Sequence, residues 1–220
     1  MPNSLTSPPV SSVLDRLFQA AGADNARWAG VAGRYPNGFA AASAREQADA
    51  YEQMYIPVSP EAGRLLYSLI RASRPATVVE FGTSFGVSTV YLAAAVRDNG
   101  TGRVVSTELS AAKVARARAS LAEAGLADQV TILEGDALET LADLTDPVGF
   151  VLLDGWKNLY RPVLRLLEPR LVAGALVVAD DTISMAAEMP DYLAYVRDPD
   201  HGYLSVALAE SDGLEISCRV

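Results

Sequence analysis

The stretch TVVEFGTSFGVS, residues 77–88, joins a short apolar run to a glycine-rich turn and then to the start of a segment with helical spacing. The β-branched run predicts a buried strand, and glycines at positions 82 and 86 let the backbone of the turn approach a ligand. A helix that starts at such a turn presents free backbone N–H groups. This order predicts the first unit of an α/β fold, with a ligand site at the turn.

The same alternation continues along the chain. Four more apolar runs of strand length alternate with helical segments: the runs are 103–108, 130–135, 149–154 and 175–180, and the helical segments are 87–97, 111–124, 137–144 and 158–167. Continuous apolar strands between helices predict a parallel sheet covered on both faces. Residues 203–220 predict two more strands, joined by a turn at Asp212 and Gly213. We therefore expect a doubly wound, Rossmann-like α/β fold with seven strands, mostly parallel, and an antiparallel hairpin at the sheet edge.

Residues 1–55 differ from the rest because they contain no strand-like run. Alanine-rich stretches and the loop RYPNGF, residues 34–39, predict extra N-terminal helices and an irregular segment beside the sheet. We expect this segment to serve as a helical lid or a dimer contact.

The composition limits the class of protein. The 220 residues are 50% hydrophobic, which fits a single domain over 1–220. Because 27 acidic residues outnumber 18 basic ones, neither a nucleic acid nor an anionic membrane is expected as a partner. The single cysteine, Cys218, cannot form an internal disulfide, and the first ten residues lack a secretory signal pattern. We therefore expect a cytoplasmic protein.

Acidic residues end or follow each of the five predicted parallel strands, at the edge where ligands of doubly wound sheets bind. They are Glu80, Glu108, Asp136, Asp154 and the pair Asp180–Asp181. For Asp136 taken alone, a helix cap is the interpretation that we favour. The glycine spacing G-x-x-x-G differs from that of a dinucleotide site, and Glu80 would repel a pyrophosphate. The pattern favours a cofactor with a ribose, no phosphate and a positive charge.

S-adenosylmethionine has these properties, and the chain resembles a family that uses it. From about residue 56 to the C-terminus it is similar to the class I S-adenosylmethionine-dependent O-methyltransferases, in the divalent-metal-dependent group of catechol and caffeoyl-CoA O-methyltransferases. The resemblance is most specific at EFGTSFGVS (80–88), LLDGWKNLY (152–160) and VVADDTI (177–183).

The resemblance implies a cofactor site along the ends of the strands. Val58 would contact the methionine end of the cofactor through its backbone, Glu108 would hold the ribose hydroxyls, and Trp156 would wall the pocket near the reacting ring. The implied cofactor contacts are Val58, Glu80, Gly82, Ser84, Ser88, Glu108, Leu109, Asp136, Ala137, Asp154 and Trp156.

The resemblance also implies a metal site and a base. Asp154, Asp180 and Asp181 would hold one divalent cation, Mg²⁺ with Ca²⁺ or Mn²⁺ as alternatives, and Lys157 would be the general base. The acceptor would be a small aromatic diol that meets Met54, Ile56, Trp156 and Lys157, and the enzyme would be a homodimer. Asp181 stands where the family usually carries Asn, so this site has one extra negative charge.

Two interpretations from other classes stay open. One is a nicotinamide-dependent oxidoreductase, which the glycine spacing and Glu80 disfavour. The other is a non-catalytic, dimeric S-adenosylmethionine-binding module. The single histidine, His201, lies in the loop-like segment 197–203, so we expect neither a histidine-activated nucleophile nor a histidine-bearing zinc site.

The position of Glu108 after the second strand gives a first prediction. Glu108→Ala should weaken S-adenosylmethionine binding by roughly 1 to 3 kcal/mol, because hydrogen bonds to a charged acceptor are lost. Calorimetry measures this effect, and an unchanged affinity would contradict the ribose assignment.

Overall fold

The computed structural model describes residues 3–32 and 43–220. Seven strands form one sheet in the order β3-β2-β1-β4-β5-β7-β6. The strands are β1 Thr77–Phe81, β2 Arg103–Glu108, β3 Val130–Glu134, β4 Val148–Leu153, β5 Leu171–Asp180, β6 Tyr203–Leu208 and β7 Leu214–Arg219. Strands β1 to β5 pair in parallel, and β7 is antiparallel to both of its neighbours. The predicted doubly wound sheet with a hairpin at its edge is confirmed.

Nine α-helices accompany the sheet in the described ranges. They are α1 Pro8–Ala21, α2 Asp24–Ala32, α3 Ala44–Ala50, α4 Pro60–Ser73, α5 Val87–Asn99, α6 Ala111–Glu123, α7 Ala137–Thr140, α8 Tyr160–Leu167 and α9 Pro190–Arg197. Serine caps begin three of them, since the side chains of Ser43, Ser59 and Ser110 accept from the backbone N–H groups of Glu46, Ala62 and Lys113, respectively. None of the described helices is long and apolar enough to cross a membrane.

Some element boundaries differ from the sequence prediction. Helix α7 is one turn long and ends at Thr140, not at Leu144, because the N–H groups of Ala142 and Leu144 donate to carbonyls only three residues back and form turns. Strand β5 begins at Leu171, earlier than the predicted residue 175, since Gly174, with φ +78°, interrupts the apolar pattern. A 3₁₀ turn at Lys157–Leu159 precedes α8.

The sheet is covered on both faces, because neighbouring strand residues alternate between two buried clusters. Val78 and Phe150 belong to the cluster under α1, α4 and α5, whereas Val79 and Val151 belong to the cluster under α8 and α9. This packing holds the carboxyl ends of β1, β2, β4 and β5 at one edge.

The N-terminal helices are confirmed as helices. Helix α1 buries Val10, Val13 and Leu17 in the same core as α4 and α5, so this helix is part of the domain body. The loop at 34–39 lies outside the described residues. A role of residues 1–55 as a lid or a dimer contact stays a prediction.

Candidate active site

The turn after β1 lies directly against the end of β4. Gly82 has φ +102°, and a Cβ atom there would lie 2.4 Å from the carbonyl oxygen of Asp154. Gly86 has φ +89° and begins α5. Only glycine combines a positive φ with so close an approach to the Asp154 carbonyl. Gly82 therefore lets the turn pack directly against the segment that carries Asp154.

Glu80 lies beneath the turn and is fully buried. Its carboxylate accepts hydrogen bonds from Ser88 and Thr89, each at 2.6 Å, and from Ser106 at 2.5 Å. Burial raises the pKa of the Glu80 carboxyl, and the three hydroxyls act in the opposite direction. In this arrangement Glu80 and Ser88 support the turn from below, and their predicted contact with the cofactor stays a prediction.

Glu108 is fixed at the mouth of the turn. Its carboxylate accepts from the backbone N–H of Ser84 at 2.8 Å and from that of Ser110 at 2.9 Å. The side chain stays partly exposed, so the carboxylate has lone pairs left for a ligand. The carbonyl of the next residue, Leu109, accepts from the Arg45 guanidinium at 3.1 Å. This geometry agrees with a ribose acceptor at position 108.

The side chain of Asp136 performs the capping role that the sequence favours for it. It is exposed and accepts from the backbone N–H of Leu138 at 2.8 Å, at the start of α7. Ala137 is buried beside it. Contact of these two residues with an adenine stays a prediction.

Three carboxylates meet where β4 and β5 end. Asp154, Asp180 and Asp181, hereafter the acidic cluster, each offer an oxygen atom, and these atoms lie within 4.8 Å of one another. Burial, and then the charge of Asp180, raises the pKa of the Asp154 carboxyl, and burial and the charge of Asp181 raise that of Asp180. Crowded oxygen donors of like charge are the ligand set that a hard divalent cation prefers. The residues therefore fit the metal site implied by the sequence.

Lys157 reaches into the acidic cluster from the 3₁₀ turn. Its amine lies 2.6 Å from Asp181 Oδ2 and 3.8 Å from Asp154 Oδ1. It also donates a hydrogen bond to the buried Tyr160 hydroxyl at 2.7 Å, and that hydroxyl donates to the backbone carbonyl of Asp180 at 3.3 Å. The structure thus brings the predicted base and the predicted metal ligands together.

Asp181 adopts a left-handed conformation, with φ +62°. Asn and Asp tolerate this region better than other non-glycine residues, which explains why either can stand at position 181. The following loop is tied to the hairpin turn, because the N–H of Thr182 donates to Gly213 O and those of Ile183 and Ser184 donate to Asp212 O, each at 3.0 Å. The β6–β7 turn therefore holds the loop that carries Asp181.

The apolar residues predicted to meet the acceptor fall into different environments. Trp156 is partly buried and contacts Tyr51, with 5.5 Å between ring centroids. Met54 is 1% exposed and belongs to the buried cluster beside them, so it supports this wall from behind. Ile56 is 40% exposed, and Asp24 accepts from its backbone N–H at 2.9 Å. Of the two, Ile56 has an exposed surface, and contact of either residue with an acceptor stays a prediction.

Three residues of the site show details that the sequence prediction did not contain. Val58 is buried in the main core, where its side chain packs while its backbone stays the candidate cofactor contact. A Cβ atom at Gly155 would lie 2.6 Å from the Phe81 ring, so a larger residue at position 155 has no room here. Lys113 is buried beside Ser84, and no motif of the sequence points to it. The signal for it is composition, since the chain has only two lysines, Lys113 and Lys157.

Comparisons with known proteins agree with this geometry. Residues 79–182 match the family model described as a methyltransferase domain. Catechol O-methyltransferase of Sus scrofa is 31% identical over 147 residues, which cover 64% of this chain and 77% of that protein. The chain belongs to the S-adenosylmethionine-dependent O-methyltransferases of the catechol type. Membership of this family removes the nicotinamide-dependent oxidoreductase from the alternatives.

Further relatives of this O-methyltransferase family are similar. Catechol O-methyltransferase of Mycobacterium tuberculosis strain H37Rv is 34% identical over 145 residues, which cover 66% of this chain and 65% of that protein. The crystal structure of cofactor-bound Rv0187 from MTB superposes with a TM-score of 0.71 at 28% identity, over 80% of this chain and 87% of that one. The chain spans about half the length of several other catechol O-methyltransferases that it matches.

The link between the hairpin turn and Asp181 gives a second prediction. A Cβ atom at Gly213, where φ is +95°, would lie 2.5 Å from the Ile183 side chain and 2.6 Å from its backbone nitrogen. Gly213→Ala should therefore shift the loop, weaken Mg²⁺ binding by about 10- to 100-fold, and leave S-adenosylmethionine binding unchanged. Calorimetric titration of each ligand into chelator-treated protein measures both affinities.

Gly100→Ala is the matched control, because Gly100 also has a positive φ, +68°, and a Cβ atom added there would meet no heavy atom within 4 Å. If both variants bind Mg²⁺ equally well, the hairpin turn does not position Asp181.

Proposed function

We propose that this protein transfers the methyl group of S-adenosylmethionine to one hydroxyl of a small catechol-like or hydroxycinnamoyl-type aromatic in a divalent-metal-dependent reaction. The observation that carries the proposal is the acidic cluster with the Lys157 amine inside it, next to the glycine turn that presents Glu108. The names of the relatives support the aromatic diol as acceptor. A cytoplasmic homodimer belongs to the same proposal and rests on the family resemblance and the single cysteine.

Asp154, Asp180 and Asp181 would hold the cation. A phenolic hydroxyl has a pKa of about 10 and is a poor nucleophile at neutral pH. Bound at the acidic cluster, Mg²⁺ would supply Lewis acidity that makes the acceptor hydroxyl more acidic.

Lys157, in its neutral form, would accept the proton of the acceptor hydroxyl at Nζ. The Tyr160 hydroxyl accepts a hydrogen bond from this amine and is itself anchored on the backbone of Asp180, so Tyr160 orients the base. Burial raises the pKa of the Tyr160 hydroxyl well above its ordinary value, which keeps it in the protonated form that can donate to Asp180 O. Tyr160 thus serves as a positioning residue.

Once the acceptor hydroxyl is ionised, methyl transfer depends mainly on the alignment of the acceptor oxygen with the sulfonium methyl group. The acceptor oxygen forms a bond to the methyl carbon while the bond from that carbon to the sulfonium sulfur breaks, and the electron pair stays on sulfur as S-adenosylhomocysteine leaves. Glu108 and the glycine turn would fix the cofactor, and Trp156 and Ile56 would wall the acceptor. Holding both reactants in line supplies a large part of the rate acceleration.

The direct test is methyl transfer to a panel of catechols and hydroxycinnamates, followed by mass spectrometry, with and without a chelator. Monophenols of the same size are the control acceptors. Transfer to the diols that stops with chelator and returns with Mg²⁺ is expected. Binding of S-adenosylmethionine without transfer to any acceptor would favour the non-catalytic module instead.

The position of Lys157 gives a third prediction. Lys157→Met should bind S-adenosylmethionine normally and lose methyl transfer by about 10²- to 10⁴-fold, the usual contribution of a positioned base. Raising the pH should restore part of the rate, because more of the acceptor is then ionised in solution. Arg161→Met, which removes an exposed cation one helical turn away, should keep wild-type turnover. Wild-type turnover of Lys157→Met at neutral pH would contradict the base assignment.

Asp181 gives a fourth prediction. Three carboxylates around a divalent cation leave one net negative charge, whereas two carboxylates and an amide leave none, so the wild-type site attracts the free cation more and repels a substrate oxyanion more. Asp181→Asn should keep activity, need more Mg²⁺ for half-maximal rate, and bind a catecholate as well as the wild type or better. Asp181→Ala should lose most activity because a ligand is removed.

A metal titration of the rate after chelator treatment measures both Asp181 variants. If neither changes the metal dependence, or if the wild type is fully active without a divalent ion, Asp181 is not a ligand.

A further inference from the structure

Lysine is used in an unusual way in this chain. Only two of the 18 basic residues are lysines, and the structure buries both of them, Lys113 with 6% and Lys157 with 8% of its surface exposed. Buried lysines are rare unless they are paired. Lys157 is paired with Asp181. Lys113 therefore requires a separate explanation.

No carboxylate of the described ranges forms an ion pair with Lys113, although several carboxylates lie near it. Its amine donates one hydrogen bond, to Ser84 Oγ at 3.1 Å, and lies 5.7 Å from the centroid of the Phe85 ring. No other hydrogen bond and no ion pair of this amine is present among the described residues. An ammonium group has three donors, so two of them are free. A buried cation without a hydrogen-bonded counter-ion is costly, so a ligand anion that accepts from the free donors would stabilise this amine.

The amine lies at the junction of three site elements, and Ser84 connects them. Ser84 Oγ accepts from Lys113 and donates to the Tyr55 carbonyl at 2.8 Å, while the Ser84 N–H donates to Glu108. Burial lowers the pKa of the Lys113 amine, and the charges of Glu108, Asp24, Asp154 and Glu52 raise it. Lys113 therefore stands between the glycine turn and the segment that leads to Val58, on the side proposed for the methionine end of the cofactor.

The charges of S-adenosylmethionine indicate a role for the Lys113 amine. S-adenosylmethionine carries a sulfonium and an ammonium group, which suit the acidic residues of the site, and one carboxylate, which those residues would repel. Lys157 is committed to the acidic cluster. We propose that Lys113 binds the carboxylate of the methionine moiety of S-adenosylmethionine. This inference rests on the proposed function, since it assumes that cofactor.

The experiment compares two ligands that differ only in the carboxylate of the methionine moiety. S-adenosylmethionine and its decarboxylated form are titrated by calorimetry into the wild type, Lys113→Met and Arg116→Met. Arg116 is the matched control, because it lies on the same helix, also approaches the Phe85 ring, at 5.4 Å, and is exposed. Lys113→Met should weaken S-adenosylmethionine binding by about 10- to 100-fold and leave the affinity for the decarboxylated ligand unchanged. Arg116→Met should bind both ligands as the wild type does.

Each outcome is decisive. Equal weakening of both ligands in Lys113→Met would overturn the proposal, because the loss would then come from the Ser84 and Tyr55 contacts. Unchanged affinity of Lys113→Met for S-adenosylmethionine, or equal affinity of the wild type for the two ligands, would overturn it as well. If Lys113→Met does not fold, Lys113→Gln, which keeps a donor for Ser84 and removes the charge, is titrated in its place with the same expected result. Failure of the wild type to bind either ligand would instead refute S-adenosylmethionine as the cofactor.

Discussion

The approach of the Gly82 backbone to the carbonyl of Asp154 is the constraint on which the site depends. A Cβ atom at position 82 would lie 2.4 Å from that oxygen, so the glycine turn and the end of β4 fit together only without a side chain there. The turn leads to Ser84 and so to Glu108, and the end of β4 leads to Asp154 and Lys157. One backbone contact therefore fixes the distance between the proposed cofactor site and the acidic cluster, and methyl transfer depends on that distance.

Much of the fold follows from local patterns in the sequence. Strands β1 and β2 have the predicted bounds because their β-branched residues are buried on both faces. A strand in a sheet that is covered on both sides reads as one continuous apolar run, so its ends are easy to locate in the sequence. Parallel pairing then places Glu108, Asp154 and Asp180 at one edge. The predicted end of helix α7 is wrong because its length is decided by the residues that follow it, not by its own periodicity.

The details of the site were less predictable because they depend on long-range contacts. Whether an acid at a strand end faces a ligand or the interior is decided by its neighbours, and Glu80 faces three hydroxyls from α5 and β2. Met54 is near Ile56 in sequence but is buried under Trp156. The tie between Ile183 and Asp212 is a backbone contact across the sheet edge, which no residue pattern reveals.

The hydrogen bonds from residues 182–184 to the β6–β7 turn also make the acidic cluster depend on a later part of the chain. The segment that carries Asp180 and Asp181 comes earlier in the chain than the hairpin that holds it. The left-handed conformation of Asp181 therefore has its support only when β7 is paired with β5. The acidic cluster gains its final shape only when the hairpin joins the sheet edge. Loss of the hairpin from the sheet edge would thus disturb the acidic cluster and leave the turn at Gly82, beyond β4, in place.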